Sequence, residues 1–264
     1  MPSSKGAVNI AQVEQLVRAA GEKLVELWPG RNTGHELSIQ RKSDGTMVTE
    51  ADLASNAILT AGLKKLFPQD YIFSEEEADA AAYAASENAW IIDPLDGTEI
   101  YSRGENYFAV FLARRVGEKI TVGIMYYPAL GTLLSAERGK GAAVNGVPVH
   151  VSAEKALKAH SVCIEGLSLA PHPHLCESKQ YPVGTTAFES LCRGKIDGVI
   201  VRFKSGTFYP WDFAPGSLII EESGGKVTDE AGKPIVMRTC PVQCRYFVAS
   251  NGTLHPEVLS IIPR

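Results

Sequence analysis

Two aspartates that follow an apolar segment are the residues of this chain best suited to do chemistry. Residues 90–92 are apolar, and Asp93 and Asp96 come directly after them. Pro94 and Gly97 predict a turn that brings both carboxylates to the end of a strand. Two carboxylates so close repel each other unless one is protonated or a cation lies between them. The N–H groups that follow the turn can bind an anion, so the segment indicates phosphate chemistry with Mg²⁺, although the same residues also form ordinary turns.

Further acidic side chains stand where predicted elements begin or end. Glu75 and Glu76 follow a short apolar strand, Thr49 and Asp52 resemble a capping box in the first turn of a predicted helix, and Asp212 opens another helix. Each has an ordinary explanation as well. A run of glutamates is usually a solvated surface, and aspartate is a common helix cap. Considered singly, these positions leave both interpretations open.

Considered together, the segments resemble the inositol monophosphatase family of lithium-sensitive, Mg²⁺-dependent phosphomonoesterases. The resemblance is carried by Lys42 and by residues 49–52, 74–76, 90–98 and 211–225. Two of these segments are long family motifs, and they occur here in the family's order and spacing. The similarity covers nearly the whole chain, from the first helix to residues 248–251.

The resemblance implies a metal site built from four carboxylates and one carbonyl. Glu75, Asp93 and the carbonyl of Leu95 are expected to hold one Mg²⁺. A second ion is expected at Asp93, Asp96 and Asp212, with Asp93 bridging the two. Oxygen atoms are the ligands that Mg²⁺ prefers. Relatives often use a third, weaker ion near the phosphate, so two or three ions are expected.

The same resemblance implies the roles of the residues around the metals. Thr98 and Asp52 are expected to orient the attacking water, whose pKa metal coordination lowers. In-line attack then expels the alcohol. The expected catalytic residues are Thr98, Asp52 and Glu75. The expected substrate contacts are Gly97, Thr98, Lys42, Glu76, Gly184, Thr185 and Arg202.

Two departures from the family pattern leave the substrate open. Residues 99–101 replace the Thr-Asn-Phe of relatives that act on inositol phosphates, and Ser205 replaces an acid that binds a sugar hydroxyl. A serine cannot replace a carboxylate that accepts two hydrogen bonds. Arg202 and Lys204 either bind a second phosphate or are solvated charges.

We therefore expect hydrolysis of a small phosphorylated alcohol or sugar similar to inositol-1-phosphate. The alternatives are a 3'(2'),5'-bisphosphate nucleotidase or a histidinol-phosphatase on the same metal core. A regulatory binding protein on this fold is a further alternative, because fold alone does not define function. The complete acidic set favours catalysis.

Apolar periodicity and turn residues predict the elements that carry these side chains. Helices are predicted over residues 10–27, from Thr49 to Pro68, and over residues 186–193, 212–223 and 256–262. Strands are predicted over residues 71–74, 89–93, 107–115, 120–127, 132–136, 161–164, 198–202 and 246–250. Helices come first, then strands, then an alternation of both, which indicates layered α+β and α/β structure.

The family fold that the resemblance implies is an αβαβα sandwich, of the type shared by inositol monophosphatases and fructose-1,6-bisphosphatases. An N-terminal α+β domain over residues 1–148 would hold most metal ligands. A C-terminal α/β domain over residues 149–264 would supply Asp212 and substrate contacts. Most relatives are homodimers, so a homodimer is expected.

Composition limits the kinds of molecule that the protein is expected to bind. The chain has 264 residues and a formal net charge of -4, so non-specific coating of nucleic acid is not expected. No apolar run approaches the roughly 20 residues of a membrane span, and no secretory signal is visible at the N-terminus. Five cysteines without a CxxC pair favour a reduced, cytoplasmic protein. The expected partner is a small phosphorylated metabolite.

Overall fold

The computed structural model describes residues 8–31, 37–41, 46–166, 173–176 and 186–263. Within these ranges the helices are α1 (Ile10–Leu27), α2 (Glu50–Leu66), α3 (Ala80–Ala85), α4 (Thr98–Ser102), α5 (Thr186–Cys192), α6 (Pro210–Glu222) and α7 (His255–Ser260). The strands are β1 (Ile39–Arg41), β2 (Met47–Thr49), β3 (Tyr71–Ser74), β4 (Asn88–Asp96), β5 (Ala109–Val116), β6 (Lys119–Tyr127), β7 (Thr132–Glu137), β8 (Gly141–Val144), β9 (Val147–Val149), β10 (Val162–Glu165), β11 (Leu175–Cys176), β12 (Gly198–Arg202), β13 (Thr207–Phe208), β14 (Lys226–Thr228), β15 (Val242–Gln243) and β16 (Tyr246–Ser250).

A large sheet runs in the order β3-β4-β5-β6-β7-β8-β9 within the described residues. The β3–β4 pair is parallel and the remaining pairs are antiparallel. Its central strands are buried along most of their length, because helices cover both faces. Trp90 and Ile92 of β4 face a core shared with α1 and α2, whereas Ile91 faces the core shared with α6.

The second sheet has the order β11-β10-β12-β16-β14 in the described part of the chain. One face packs against α5 and α6, and α7 packs on β12 and β16. Val258 of α7 closes a small core with Val162, Ile200 and Val248 on that outer face. The layers are therefore α1 and α2, the large sheet, α5 and α6, the second sheet, and α7. The predicted αβαβα sandwich is confirmed.

Helix α6 is the central layer, and its sequence is apolar on all sides because it lies between two sheets. Residues 213–220 are buried on every face, as expected of a fully enclosed helix. Gly123 of β6 permits the close approach of this helix, since a Cβ there would lie 2.6 Å from the carbonyl oxygen of Pro215. The helix begins two residues before the predicted Asp212, with Pro210 in its first turn, a position that suits proline. Gly224, with a φ of 93°, follows its end, as predicted.

Most predicted elements lie within one to three residues of the observed ones, whereas several short pieces were not predicted. The strands β1, β2, β8, β9, β11, β13, β14 and β15 and the short helix α4 were missed. Such short strands have too few residues to display an alternation of apolar and polar side chains.

The predicted division after residue 148 lies close to Val149, the last residue of β9. It stays a prediction, because α6 packs against both sheets. In the described ranges, no helix has the length and apolar character needed to cross a membrane.

Arg115 of β5 is a fully buried cation that fastens α3 to the large sheet. Its guanidinium donates to the carbonyls of Tyr83, Ser86 and Gly117 and lies 4.7 Å from the centre of the Tyr83 ring. We expect Arg115→Met to lower the free energy of unfolding by roughly 3 kcal/mol, because buried carbonyls would lose their donors. Urea unfolding measures this loss. Arg245→Met is the control at an exposed arginine and should cost less than about 1 kcal/mol; equal losses in both variants would contradict the prediction.

His255 of α7 is a buried neutral histidine held between two strands of the second sheet. Its Nδ1 lies 2.8 Å from Ser250 Oγ, and its Nε2 lies 2.8 Å from Thr228 Oγ1. The Thr228 hydroxyl donates to the Asp229 carbonyl, so Nε2 carries the ring proton and donates to Thr228. Burial, helped by the charge of Lys226, lowers the pKa of His255 to about 4.

This depressed pKa makes the stability of the protein depend on pH. The unfolded histidine takes up a proton near pH 6.5, while the folded one resists until about pH 4, so stability is lost as pH falls through this window. Between pH 7 and pH 5 the loss from this group is about 2 kcal/mol. We expect His255→Gln to reduce the pH dependence of urea unfolding by that amount. An unchanged dependence on pH would assign the effect to other groups.

Candidate active site

The end of strand β4 contains a bulge that sets the direction of two carboxylates. Asp93 pairs with Phe111 and Asp96 pairs with Ala109. The two aspartates are three residues apart in β4, whereas their partners are two residues apart in β5. Because Phe111 and Ala109 face the same side of their strand, their partners do as well. Without the extra residue, the spacing of the two aspartates would place them on opposite faces. The bulge therefore makes Asp93 and Asp96 neighbours.

The predicted turn at Pro94 is wrong in detail. The strand continues through Pro94 to Asp96, since a bulge can accommodate a residue that lacks an N–H group. The chain turns only at Gly97, whose φ of 84° is in the left-handed region that glycine adopts without strain. A Cβ at this position would also lie 3.2 Å from the carbonyl oxygen of Tyr107. Gly97 thus separates the strand from α4, which begins at Thr98.

Three aspartates meet at this point. Asp93, Asp96 and Asp212 each offer a carboxylate oxygen, and these oxygens lie within 4.8 Å of one another. Asp212 comes from the first turn of α6, the helix that lies between the two sheets. Asp93 is 3% exposed, and Asp96 and Asp212 are half-buried. The structure thus assembles three residues that are 119 positions apart at their extremes along the chain.

The electrostatics of this cluster favour a cation. Burial, followed by the charges of Glu75, Asp96 and Asp212, raises the pKa of Asp93 well above its ordinary value. Burial and the charges of Asp96 and Glu75 likewise raise the pKa of Asp212. Such shifts arise when carboxylates repel one another in a poorly solvated site. A divalent cation among them would remove the repulsion, and a set of oxygen donors suits Mg²⁺. The residues present therefore fit a metal ion.

Glu75 borders the cluster from the neighbouring strand. It is the first residue of a short 3-10 turn, Glu75–Glu77, that follows β3. Strand β3 is parallel to β4 and Ser74 pairs with Ile92, so Glu75 leaves its strand at the level of Asp93. Its charge contributes to the raised pKa of Asp52, Asp93 and Asp212. Glu76 is half-buried, and its N–H donates to Ser74 Oγ.

Thr98 and Asp52 form a hydrogen-bonded pair beside the aspartates. Thr98 Oγ1 lies 3.1 Å from Asp52 Oδ1 and 3.1 Å from the Leu95 carbonyl oxygen. The other oxygen of Asp52 accepts from the N–H and the hydroxyl of Thr49, at 2.7 and 2.6 Å. The capping box predicted from the sequence is therefore present, and it fixes the Asp52 carboxylate with Oδ1 turned to Thr98. Burial raises the pKa of Asp52.

Buried polar residues that the sequence analysis missed support these groups from α2. Ser55 Oγ donates to the Pro94 carbonyl at 2.7 Å, and Ser74 Oγ donates to Asn56 Oδ1 at 2.7 Å. Asp52, Ser55 and Asn56 lie on one face of α2, at the spacing of an apolar stripe. Polar residues at positions where the period demands apolar ones were the available signal.

The remaining predicted substrate contacts are not brought together with this cluster by the described residues. Lys42, Gly184 and Thr185 lie outside the ranges that the structure describes. Arg202 is the last residue of β12, and its side chain is exposed. These assignments stay predictions.

The comparisons with known proteins point to a single family. The model of the inositol monophosphatase family matches residues 8–264. A histidinol-phosphatase of Chlorobaculum parvum is 31% identical over 254 residues, which cover 94% of each chain. An inositol-1-monophosphatase of Caulobacter vibrioides is 31% identical over 242 residues, 85% of this chain and 90% of that protein. The crystal structure of the extragenic suppressor protein suhB from Bartonella henselae superposes with a TM-score of 0.77 at 25% identity, and covers 96% of this chain and 97% of its own.

The five-layer fold and its acidic cluster therefore define a phosphatase, a hydrolase of phosphoric esters. More closely, the chain belongs to the inositol monophosphatase family.

Proposed function

We propose that this protein is a Mg²⁺-dependent phosphomonoesterase that hydrolyses the phosphate ester of a small alcohol or sugar. The observation that carries the proposal is the cluster of Asp93, Asp96 and Asp212 beside the Thr98–Asp52 pair. A cluster of this kind suits a cation, and the adjacent hydroxyl and carboxylate suit the handling of a water molecule. Phosphate ester hydrolysis needs both.

The metal ligands we propose come from three elements of the fold: the turn after β3, strand β4 and helix α6. One ion would be held by Glu75, Asp93 and the carbonyl oxygen of Leu95. A second would be held by Asp93, Asp96 and Asp212. A third ion near Glu75 and Glu76 would complete the set in the presence of phosphate. When bound, these ions lower the pKa of water and stabilise the charge on the phosphoryl and leaving oxygens.

The chain's own residues would orient and deprotonate the attacking water. The Thr98 hydroxyl has one proton, and donating it to Asp52 Oδ1 leaves the lone pairs of Oγ1 free to accept from water. Asp52 is held in place by Thr49, and its raised pKa brings it closer to the range in which a carboxylate serves as a base. We propose Thr98 as the group that aligns water and Asp52 as its partner, with Glu75 acting through the metal.

The phosphate would bind where the chain turns after the bulge. The N–H groups of Gly97 and Thr98 are available there, because the left-handed conformation of Gly97 starts a new helix at this point. Lys42 and Glu76 would lie toward the outer edge of the phosphate site. Gly184, Thr185 and Arg202 would contact the alcohol.

Inositol is less strongly favoured as the alcohol of the substrate than the family name suggests. Ser205, where an acid would bind a sugar hydroxyl, is exposed, and its hydroxyl donates to the Thr207 carbonyl. It also accepts from Thr207 Oγ1. This serine is engaged within its own turn, which favours histidinol phosphate or another ester without a ring of hydroxyls as a second candidate. The 31% identity to a histidinol-phosphatase supports the same candidate.

The experiment that tests the proposal is phosphate release from a panel of esters with Mg²⁺, with EDTA, and with Mg²⁺ and Li⁺. The panel holds inositol-1-phosphate, histidinol phosphate, 3'-phosphoadenosine-5'-phosphate, fructose-1,6-bisphosphate and β-glycerophosphate. We expect release that requires Mg²⁺ and is inhibited by Li⁺. Light scattering on the same sample tests the expected homodimer. Mg²⁺ binding without turnover of any ester would overturn the proposal in favour of the regulatory alternative.

A further inference from the structure

Three aromatic rings form a column that ends at the surface close to the acidic cluster. The ring centres of Phe73 and Trp211 are 5.4 Å apart, and those of Trp211 and Tyr209 are 4.8 Å apart. The planes of Trp211 and Tyr209 differ by only 3°. Phe73 and Trp211 are buried, whereas 48% of Tyr209 is exposed. The column thus presents one ring, already flat against its neighbour, to the solvent.

The position of this column relative to the acidic residues follows from the strand register. Phe73 pairs with Ile91, and Asp93 lies two residues further along β4, so all three face the same side of the sheet. Trp211, which packs on Phe73, is therefore on the face that carries Asp93.

Helix α6 joins the column to the cluster at its other end. The N–H of Asp212 donates to the Tyr209 carbonyl oxygen at 3.3 Å, so these two residues lie in one turn. Three residues of helix correspond to about 4.5 Å along the axis. If an ion held by Asp212 binds the phosphate of an ester, the alcohol of that ester lies within reach of Tyr209.

The chemistry of this rim differs from that of a site for a polyol. The hydroxyl of Ser205 is engaged in hydrogen bonds within its own turn. The large exposed side chain between Ser205 and Asp212 is that of Tyr209. An aromatic face binds planar rings by stacking. Because Trp211 already holds Tyr209 in one orientation, stacking a second ring requires little further ordering.

We propose that Tyr209 is a specificity-determining residue that stacks on a planar heteroaromatic ring in the alcohol part of the substrate. This inference rests on the proposed phosphatase function and narrows its substrate class. The favoured substrates are phosphate monoesters whose alcohol carries an imidazole or a purine ring. The ring is remote from phosphorus, so its contact strengthens binding in the ground state and the transition state alike.

The test compares esters with and without a ring in wild type and in Tyr209 variants. Histidinol phosphate and adenosine 2'-monophosphate carry the ring, and β-glycerophosphate does not. We expect the ratio of kcat/KM for a ring ester to that for β-glycerophosphate to fall about tenfold in Tyr209→Ala and Tyr209→Leu. The change should lie in the KM of the ring ester and not in its kcat, which a loss of folded protein would not reproduce.

Tyr209→Phe is the matched control, because it keeps the stacking face and removes only the hydroxyl. Its ratio should stay within about twofold of wild type, which is well below the effect of a lost stack. The two ring esters separate the sources, since the one with the larger loss identifies the preferred ring. Equal ratios in wild type and Tyr209→Leu, with β-glycerophosphate still hydrolysed, would overturn this inference alone. A wild-type protein that releases phosphate from no ester would instead overturn the proposed function.

Discussion

Asp93→Asn is expected to lower Mg²⁺-dependent phosphate release by roughly a thousandfold or more. The substitution keeps the size of the side chain and one oxygen, so the hydrogen bond from the Leu95 N–H survives. It removes the charge of the carboxylate that we propose bridges two ions. A metal site supplies several kcal/mol of transition-state stabilisation, and each 1.36 kcal/mol is a factor of ten in rate. Initial rates at saturating Mg²⁺ measure the loss.

The thermal stability of Asp93→Asn should rise in the metal-free protein, although its activity falls. Without a cation, burial and three neighbouring carboxylates disfavour the ionised form of Asp93 and raise its pKa, so replacing it with a neutral amide removes that cost in the metal-free protein. We expect Asp93→Asn to unfold at a higher temperature than wild type in EDTA, and to gain less from added Mg²⁺ because ligand binding stabilises only the form that binds. A variant that is merely misfolded would not have this combination.

Glu105→Gln is the control for loss of a carboxylate near the same segment. Glu105 is exposed and pairs with Arg103 at the surface, outside the proposed metal set. Glu105→Gln should lower the rate of phosphate release by less than about twofold, since exposed ion pairs contribute little. If Asp93→Asn retained activity within about threefold of wild type, the assignment of this residue as a metal ligand would be wrong.

The acidic cluster could be predicted from the sequence because the side-chain types of its residues indicate the chemistry they can perform. Asp93, Asp96 and Asp212 were identified by motif, and the capping box at Thr49 led to the position of Asp52. Many helices and strands of the fold were also predictable, since long apolar segments such as residues 120–127 and the helix over residues 10–27 have a clear period. The order of the five layers was expected from the family resemblance. Each of these signals is local to one segment of the chain.

What the sequence did not predict are features that depend on contacts between segments. The bulge in β4 arises where two residues, Pro94 and Leu95, lie opposite the single residue Val110 of β5, and only that mismatch turns Asp93 and Asp96 to one face. The column of Tyr209, Trp211 and Phe73 includes a residue that is more than 130 positions earlier in the chain than Tyr209. A residue type alone does not report such a neighbour, so Tyr209 had no distinguishing signal in the sequence.

The cluster also explains why rigid elements surround the site. Carboxylates that repel one another would separate if their backbones were free to move. Asp93 and Asp96 lie on a strand inside the large sheet, and Asp212 lies on a helix packed between two sheets. Folding energy from both cores therefore holds together charges that favour a cation, which is how a preorganised metal site acquires affinity.

Thr98→Val is expected to lower kcat/KM by about a hundredfold, through kcat, while the protein stays folded. Valine has nearly the same shape as threonine but lacks the hydroxyl, so the link from Asp52 Oδ1 to the attacking water would be broken. Proton transfer through a positioned side chain contributes roughly 100-fold to 10,000-fold. Steady-state kinetics with a saturating ester separates kcat from KM, and binding of Mg²⁺ should persist because the metal carboxylates are untouched.

Two further substitutions decide whether the hydroxyl or the packing of Thr98 is responsible. Thr98→Ser retains the hydroxyl and should keep activity within about tenfold of wild type, above the range for loss of the group. Thr121→Val removes a hydroxyl that donates to the Arg114 carbonyl, away from the acidic cluster, and should leave kcat unchanged. If Thr98→Val stayed within about threefold of wild type, Asp52 would have to act on water directly. In that case its fixed Oδ1, and not the threonine, would be the group that sets the line of attack.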